Sequence, residues 1–154
     1  MDALKSDYKI TEVELIYHRK QSRKNEKVVT QSQTSYEILR AAWDDSKIDL
    51  VEHFKILLLR QNNACIGVSH IGTGGVSSCV ADAKIIFATA LKANACQIIL
   101  SHNHPSGNLK ASGNDIALTQ QLVAAAKMLD MKVLDHLILT SEGYLSFADE
   151  GLMP

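Results

Sequence analysis

Apolar and polar residues alternate over Lys9 to Tyr17. Val13, Leu15 and Tyr17 fall on one side and Glu12 and Glu14 on the other, the period of two expected of an amphipathic strand. The period then changes. Thr34-Ser35-Tyr36-Glu37 has the spacing of a capping box, and Tyr36, Leu39, Ala42 and Trp43 recur at helical intervals, which predicts a helix over about Ser35 to Asp45. Two mostly apolar runs follow, Phe54 to Gln61 and Ala64 to Ser69. Gln61-Asn62-Asn63 between them is turn chemistry and predicts a hairpin. The first run is apolar on both faces and is expected to be central in its sheet. Asp82 is placed to cap a helix through Leu91, with Ile85, Ile86, Phe87, Ala90 and Leu91 as its buried side. Gln97 to Ser101 reads as a short buried strand. Ser112 to Leu129 reads as a helix burying Ile116, Leu118, Leu122, Val123 and Ala126. Lys132 to Thr140 is a strand, Ser141-Glu142-Gly143 a turn, and Tyr144 to Phe147 a closing strand. The order β-α-β-β-α-β-α-β-β predicts an α/β (α+β) fold with a mixed β-sheet flanked by helices.

At 154 residues the chain is expected to be a single domain, residues 1–154. Lys plus Arg (16) balance Asp plus Glu (17), which argues against a protein whose main work is gripping nucleic-acid backbone. His18 to Lys27 (HRKQSRKNEK) is a local exception. It has no interleaved aromatic to stack on bases and reads as a solvated hairpin tip. Gly72-Thr73-Gly74-Gly75 lacks both the Lys-Ser/Thr of a P-loop and the GxGxxG spacing, so a flexible connection is expected there. The uncharged stretch Gln61 to Ala81 is too rich in glycine and serine to span a membrane. The Met-Asp-Ala-Leu-Lys-Ser-Asp start does not read as a secretory signal. Cys65, Cys79 and Cys96 form no CxxC pair and are expected to be free thiols, so a cytoplasmic location is expected.

One segment carries chemistry: Ser101-His102-Asn103-His104-Pro105-Ser106-Gly107, continuing to Ser112 and Asp115. His102 and His104 follow a buried strand. In extended chain, residues two apart point to the same side, so both imidazoles can meet one point. Pro105, Ser106 and Gly107 turn the chain, and Asp115 lies in the first turn of the next helix. Two neutral histidines, one carboxylate and an open fourth position make the ligand arrangement of catalytic zinc. Each part has a plainer use: His102 can hydrogen-bond at a strand end, and Asp115 can complete a capping box with Ser112. The joint spacing HxHPx6SxxD favours a metal.

That spacing resembles the metal motif of the JAB/MPN+ (JAMM) metalloprotease family. Ala95 to Leu100 leading into HNHPSG, Asp135-His136-Leu137-Ile138, and Ser146-Phe147 are similar to its RadC-like branch. The resemblance covers about Ser35 to Leu152. It implies a JAB/MPN-like (cytidine-deaminase-like) sandwich with one Zn2+ held by His102, His104 and Asp115. It further implies that Ser112 helps to hold an oxyanion, and that an upstream glutamate acts as general base. Glu52, in Val51-Glu52-His53-Phe54, matches the family's E-x-F pattern; Glu37 is the competing acid. The implied activity is hydrolysis of a peptide or isopeptide amide in a peptide or protein substrate. Zinc brings the pKa of water from ~15.7 toward about 7. The competing readings are a non-catalytic zinc-containing binding module of DNA-repair or mobile-element machinery, and a nucleotide or nucleic-acid binder resting on the glycine stretch and the charge run. The remaining histidines have plainer expectations. His53 should face away from Glu52. His70 borders the glycine stretch. His136 either forms a hydrogen-bonded core pair with Asp135, or one of the two orients a ligand or the catalytic water.

Overall fold

An apolar run with large side chains on both faces needs cover on both faces, and β1 (His53–Leu59) has it. The computed structural model describes residues 22–76 and 81–154; the strand expected over Lys9 to Tyr17, the first part of the charge run, and Cys79 lie outside them. The described elements are α1 (Ser32–Ala41), β1, β2 (Cys65–Thr73), α2 (Ala83–Lys92), β3 (Gln97–Asn103), α3 (Gly113–Met128), β4 (Lys132–Leu139) and β5 (Tyr144–Ser146). They build a five-stranded sheet in the order β2-β1-β3-β4-β5. The sheet is mixed: β3 and β4 are parallel, and the other neighbours are antiparallel.

The side-chain period of two divides the core between the two faces. Phe54, Ile56 and Leu58 of β1 join Ile98 and Leu100 of β3 beneath α2 and α3, where Ile86, Phe87, Ala90, Leu122 and Ala126 cover them. Leu57, Leu59, Ile99, Leu137 and Leu139 face the other way and pack against Leu39, Trp43 and Ile48. The β1–β2 hairpin turns where expected, with Asn63 at positive φ (63°) and Gln97 Nε2 donating to Arg60 O (2.9 Å) and Asn63 Oδ1 (2.6 Å). Cys65 and Cys96 are free thiols.

A parallel pair needs a crossover, and α3 supplies it between β3 and β4. The chain therefore leaves the carboxyl end of the central strand β3 and returns through the N-terminus of α3. Carboxyl ends of strands are where ligands gather in sheets of this kind.

Three local expectations are corrected. Helix α1 starts at Ser32, and its N-cap Gln31 makes no side-chain cap bond. Thr34 and Glu37 thus lie inside the helix. Glu37 pairs with Lys27 (2.9 Å) instead of closing a box. Ile85 and Leu91 of α2 are about half exposed, because the sheet takes only the face carrying Ile86, Phe87 and Ala90. The glycine stretch is ordered ladder: Gly72 and Thr73 belong to β2, and Gly74 and Gly75 go on pairing beyond it.

Candidate metal centre

The last residue pair of β3 faces both ways. His102 lies on the α2/α3 side, stacked beside Phe54, whereas Asn103 lies on the opposite side. His104 N–H donates to Leu139 O (2.9 Å), so the chain stays extended one residue past the strand and returns to the His102 side. Asp115 comes from the first turn of α3. One ligand atom from each of His102, His104 and Asp115 lies within 4.8 Å of the others. The His102 and His104 Nε2 atoms are 3.0 Å apart. Asp115 Oδ1 is 3.2 Å from His102 Nε2, and Oδ2 is 3.7 Å from His104 Nε2. Ligands at about 2.0–2.1 Å from a tetrahedral ion stand ~3.3 Å from one another, so the two histidine nitrogens are close to that spacing and the carboxylate lies near both. His104 Nδ1 is 2.7 Å from Asn108 O, a carbonyl that can only accept. His104 therefore carries a hydrogen on Nδ1, and its neutral ring has the lone pair on Nε2, toward the centre. A zinc-like ion fits this set of two imidazole nitrogens and one carboxylate.

Asp115 combines the two uses its position allows. Ser112 N–H donates to Asp115 Oδ2 (2.8 Å), and Asp115 N–H donates to Ser112 Oγ (3.1 Å), a complete capping box. Capping fixes the carboxylate's rotamer, with Oδ1 toward His102 and Oδ2 the oxygen nearer His104. Burial alone would raise this carboxyl's pKa. The contact and charge of His102 and the two bonds with Ser112 outweigh burial and hold it well below the usual carboxylate range.

Glu52 is held from three directions. Its N–H donates to Gly75 O (3.0 Å), and its carbonyl accepts from Gly74 N–H (2.8 Å). Asn103, fully buried between the two histidines, grips the chain on both sides of it. Asn103 Nδ2 donates to Ile48 O (2.7 Å) and Val51 O (2.9 Å), and Oδ1 accepts from His53 N–H (2.7 Å). The residue between the two histidines thus fixes the backbone on both sides of Glu52. Burial pushes the Glu52 pKa up; the positive ends of His102 and His104 oppose this, and the Asp115 charge adds to it. Glu52 is therefore within electrostatic reach of His102, His104 and Asp115. Glu37 does not: its carboxylate is exposed and bonded to Lys27 and Gln33.

Asp135 and His136 do not form a side-chain pair. Asp135 is tied to the chain that follows: Oδ2 accepts from Ser146 Oγ–H (2.6 Å), and Oδ1 from His136 N–H (2.7 Å) and Ala148 N–H (2.9 Å). Burial raises its pKa against these bonds. His136 faces the site, with Nε2 2.8 Å from His102 Nδ1 and Nδ1 2.7 Å from Thr119 Oγ1. Its ring stacks on Phe147 (centroids 4.6 Å apart), and full burial pushes its pKa well down. His53 packs edge-on to His70, away from the ligands, and His70 Nε2 bonds to Thr73 Oγ1 (3.0 Å). Sequence reasoning missed Asn103 and Thr119. A signal for Asn103 existed: an amide alternating with inward-facing ligands on a buried strand must find partners on the opposite face.

Comparison with known proteins follows the same stretch of chain. A family model described as "RadC-like JAB domain" matches residues 29–152. A UPF0758 protein of Porphyromonas gingivalis is 45% identical over 103 residues, covering 66% of this chain and 45% of that protein. A UPF0758 protein of Flavobacterium johnsoniae is 40% identical over 101 residues, covering 66% of this chain and 44% of that protein. The matches thus span less than half of those relatives' own length.

Proposed function

The chain belongs to the RadC-like JAB domain family, and on that premise we propose that it is a zinc-dependent hydrolase of peptide or isopeptide amide bonds. The observation that carries this reading is the convergence of His102, His104 and Asp115, with the partly buried carboxylate of Glu52 in electrostatic reach of all three. A zinc ion held by these three residues supplies Lewis acidity toward a carbonyl oxygen and makes water acidic enough to react near neutral pH.

The chain's own residues do the rest. Glu52, as carboxylate, takes the proton of the attacking water and passes it to the leaving amine, with a basicity raised by burial for that task. Ser112 Oγ accepts the Asp115 N–H. Its own hydroxyl hydrogen can be directed at the oxygen that gains charge in the tetrahedral transition state. One such donor is worth about 2.7–4 kcal/mol of barrier. Asn103 and the Gly74–Gly75 ladder keep the base at its post. A binding module with a purely structural ion has no use for a partly desolvated carboxylate clamped beside an open ligand set.

Metal analysis of the purified full chain, paired with a peptide-library cleavage screen, tests the reading. About one zinc per chain is expected in the wild type, lost in His104→Ala and retained without cleavage in Glu52→Gln. Full zinc retention in a variant lacking all three ligands would remove the site. Zinc binding with no cleavage of any peptide or isopeptide library would favour the binding module.

A further inference from the structure

We propose that Thr119 and His136 are positioning residues that set which ring nitrogen of His102 carries hydrogen, leaving its Nε2 as a bare lone pair aimed at the metal point. The inference rests on the reading of His102 as a ligand and deepens it. Four groups form a closed circuit. Thr119 Oγ1 donates to Asp115 O (2.7 Å), a carbonyl that can only accept. A hydroxyl has one hydrogen, so Thr119 Oγ1 can meet His136 Nδ1, 2.7 Å away, only as acceptor. His136 Nδ1 therefore bears a hydrogen. The ring is fully buried, and its other nitrogen meets an imidazole with no carboxylate in contact, so it is neutral and its Nε2 accepts. His102 Nδ1, 2.8 Å from that nitrogen, must then be the donor. The hydrogen is thereby placed on Nδ1, so the neutral ring that a metal requires carries its lone pair on Nε2.

The same reasoning extends to the neighbouring ring. In its neutral form His104 also has its lone pair on Nε2, because its Nδ1 is committed to Asn108 O. With both rings in these tautomers, two lone pairs 3.0 Å apart and Asp115 Oδ1 3.2 Å from one of them would repel unless a cation lay between them. The circuit starts at the backbone of Asp115 and ends at the ring that faces the Asp115 carboxylate. One ligand's helix turn thus instructs the other's tautomer, through a threonine one helical turn away and a histidine on the neighbouring strand. Partners of this kind typically change metal affinity 10–100-fold.

Long-range 1H–15N spectra of the metal-free full chain report imidazole tautomers directly, and Co2+ titration reports the ligand set. The wild type should show His102 hydrogenated at Nδ1. Thr119→Val, close in shape but without the acceptor, should move hydrogen to Nε2 and weaken Co2+ binding about tenfold or more. Thr119→Ser should restore both. His102 hydrogenated at Nε2 in the wild type would overturn the proposal, and so would a folded Thr119→Val with unchanged tautomer and Co2+ affinity. Should Thr119→Val fail to fold, Thr119→Ala carries the same expectations, and the wild-type tautomer still decides. Absence of hydrolysis would leave these readouts standing and count against the proposed function alone.

Discussion

Glu52 is the residue whose environment makes the sharpest statement about chemistry. Its carboxyl titrates above its ordinary value because burial penalises the charge, with Asp115 adding to that and the two histidines subtracting. A general base works only when deprotonated. The sign therefore follows: kcat/KM should fall as pH is lowered through the Glu52 pKa, because protonation removes the base. Glu52→Gln should cost about 10²–10⁴-fold in rate, the usual share of general acid–base catalysis, and abolish the limb. A pH–rate series on both proteins checks this. An acid limb that survives in Glu52→Gln would assign it to another group. His136 shows the same physics in the opposite sense: burial lowers its pKa because its charged form is the cation.

Elements place these residues, and here Asn103 matters most. It ties β3 to the segment that carries Glu52 through three bonds of 2.7–2.9 Å. Asn103→Ala would strand two carbonyls and one N–H, each worth about 1–3 kcal/mol if left buried and unpaired. The expected outcome is a loss of at least that size in urea unfolding. A fall in kcat larger than any change in zinc content should accompany it, because the ligands on the other face of the strand keep their places. Equal loss of zinc and activity would show that Asn103 supports the ligands as well. The legibility of the sequence follows from the range of the forces involved. Strand β3 and the spacing of His102, His104 and Asp115 were readable because alternation and a single helix turn are local. The start of α1 was misplaced because Gln31 begins that helix without a side-chain cap, so the capping-box pattern at Thr34 pointed three residues too late. The glycine stretch looked loose because nothing local says that Gly74 and Gly75 bond to the backbone of Glu52, more than twenty residues away in the chain.

At the scale of the whole molecule, the site joins the two ends of one crossover: His102 and His104 end the central strand, and Asp115 opens the helix that carries the chain to β4. An ion held there closes that connection in the folded state and finds no such ligand set in the unfolded chain. Binding must then add to stability by mass action, about 2.7 kcal/mol when free zinc is 100 times its dissociation constant. For a chain of this size, 1 kcal/mol moves Tm by roughly 2–4 °C, so zinc should raise Tm by roughly 5–11 °C over the chelated protein. His104→Ala is a fair control, because His104 lies beyond the end of β3 and outside both apolar clusters. It should unfold near the chelated wild-type temperature and gain nothing from zinc. Calorimetry in EDTA and in zinc, on both proteins, decides the matter. An equal rise in the variant would place the stabilising ion elsewhere, and no rise in the wild type would mean that the three side chains meet without binding one.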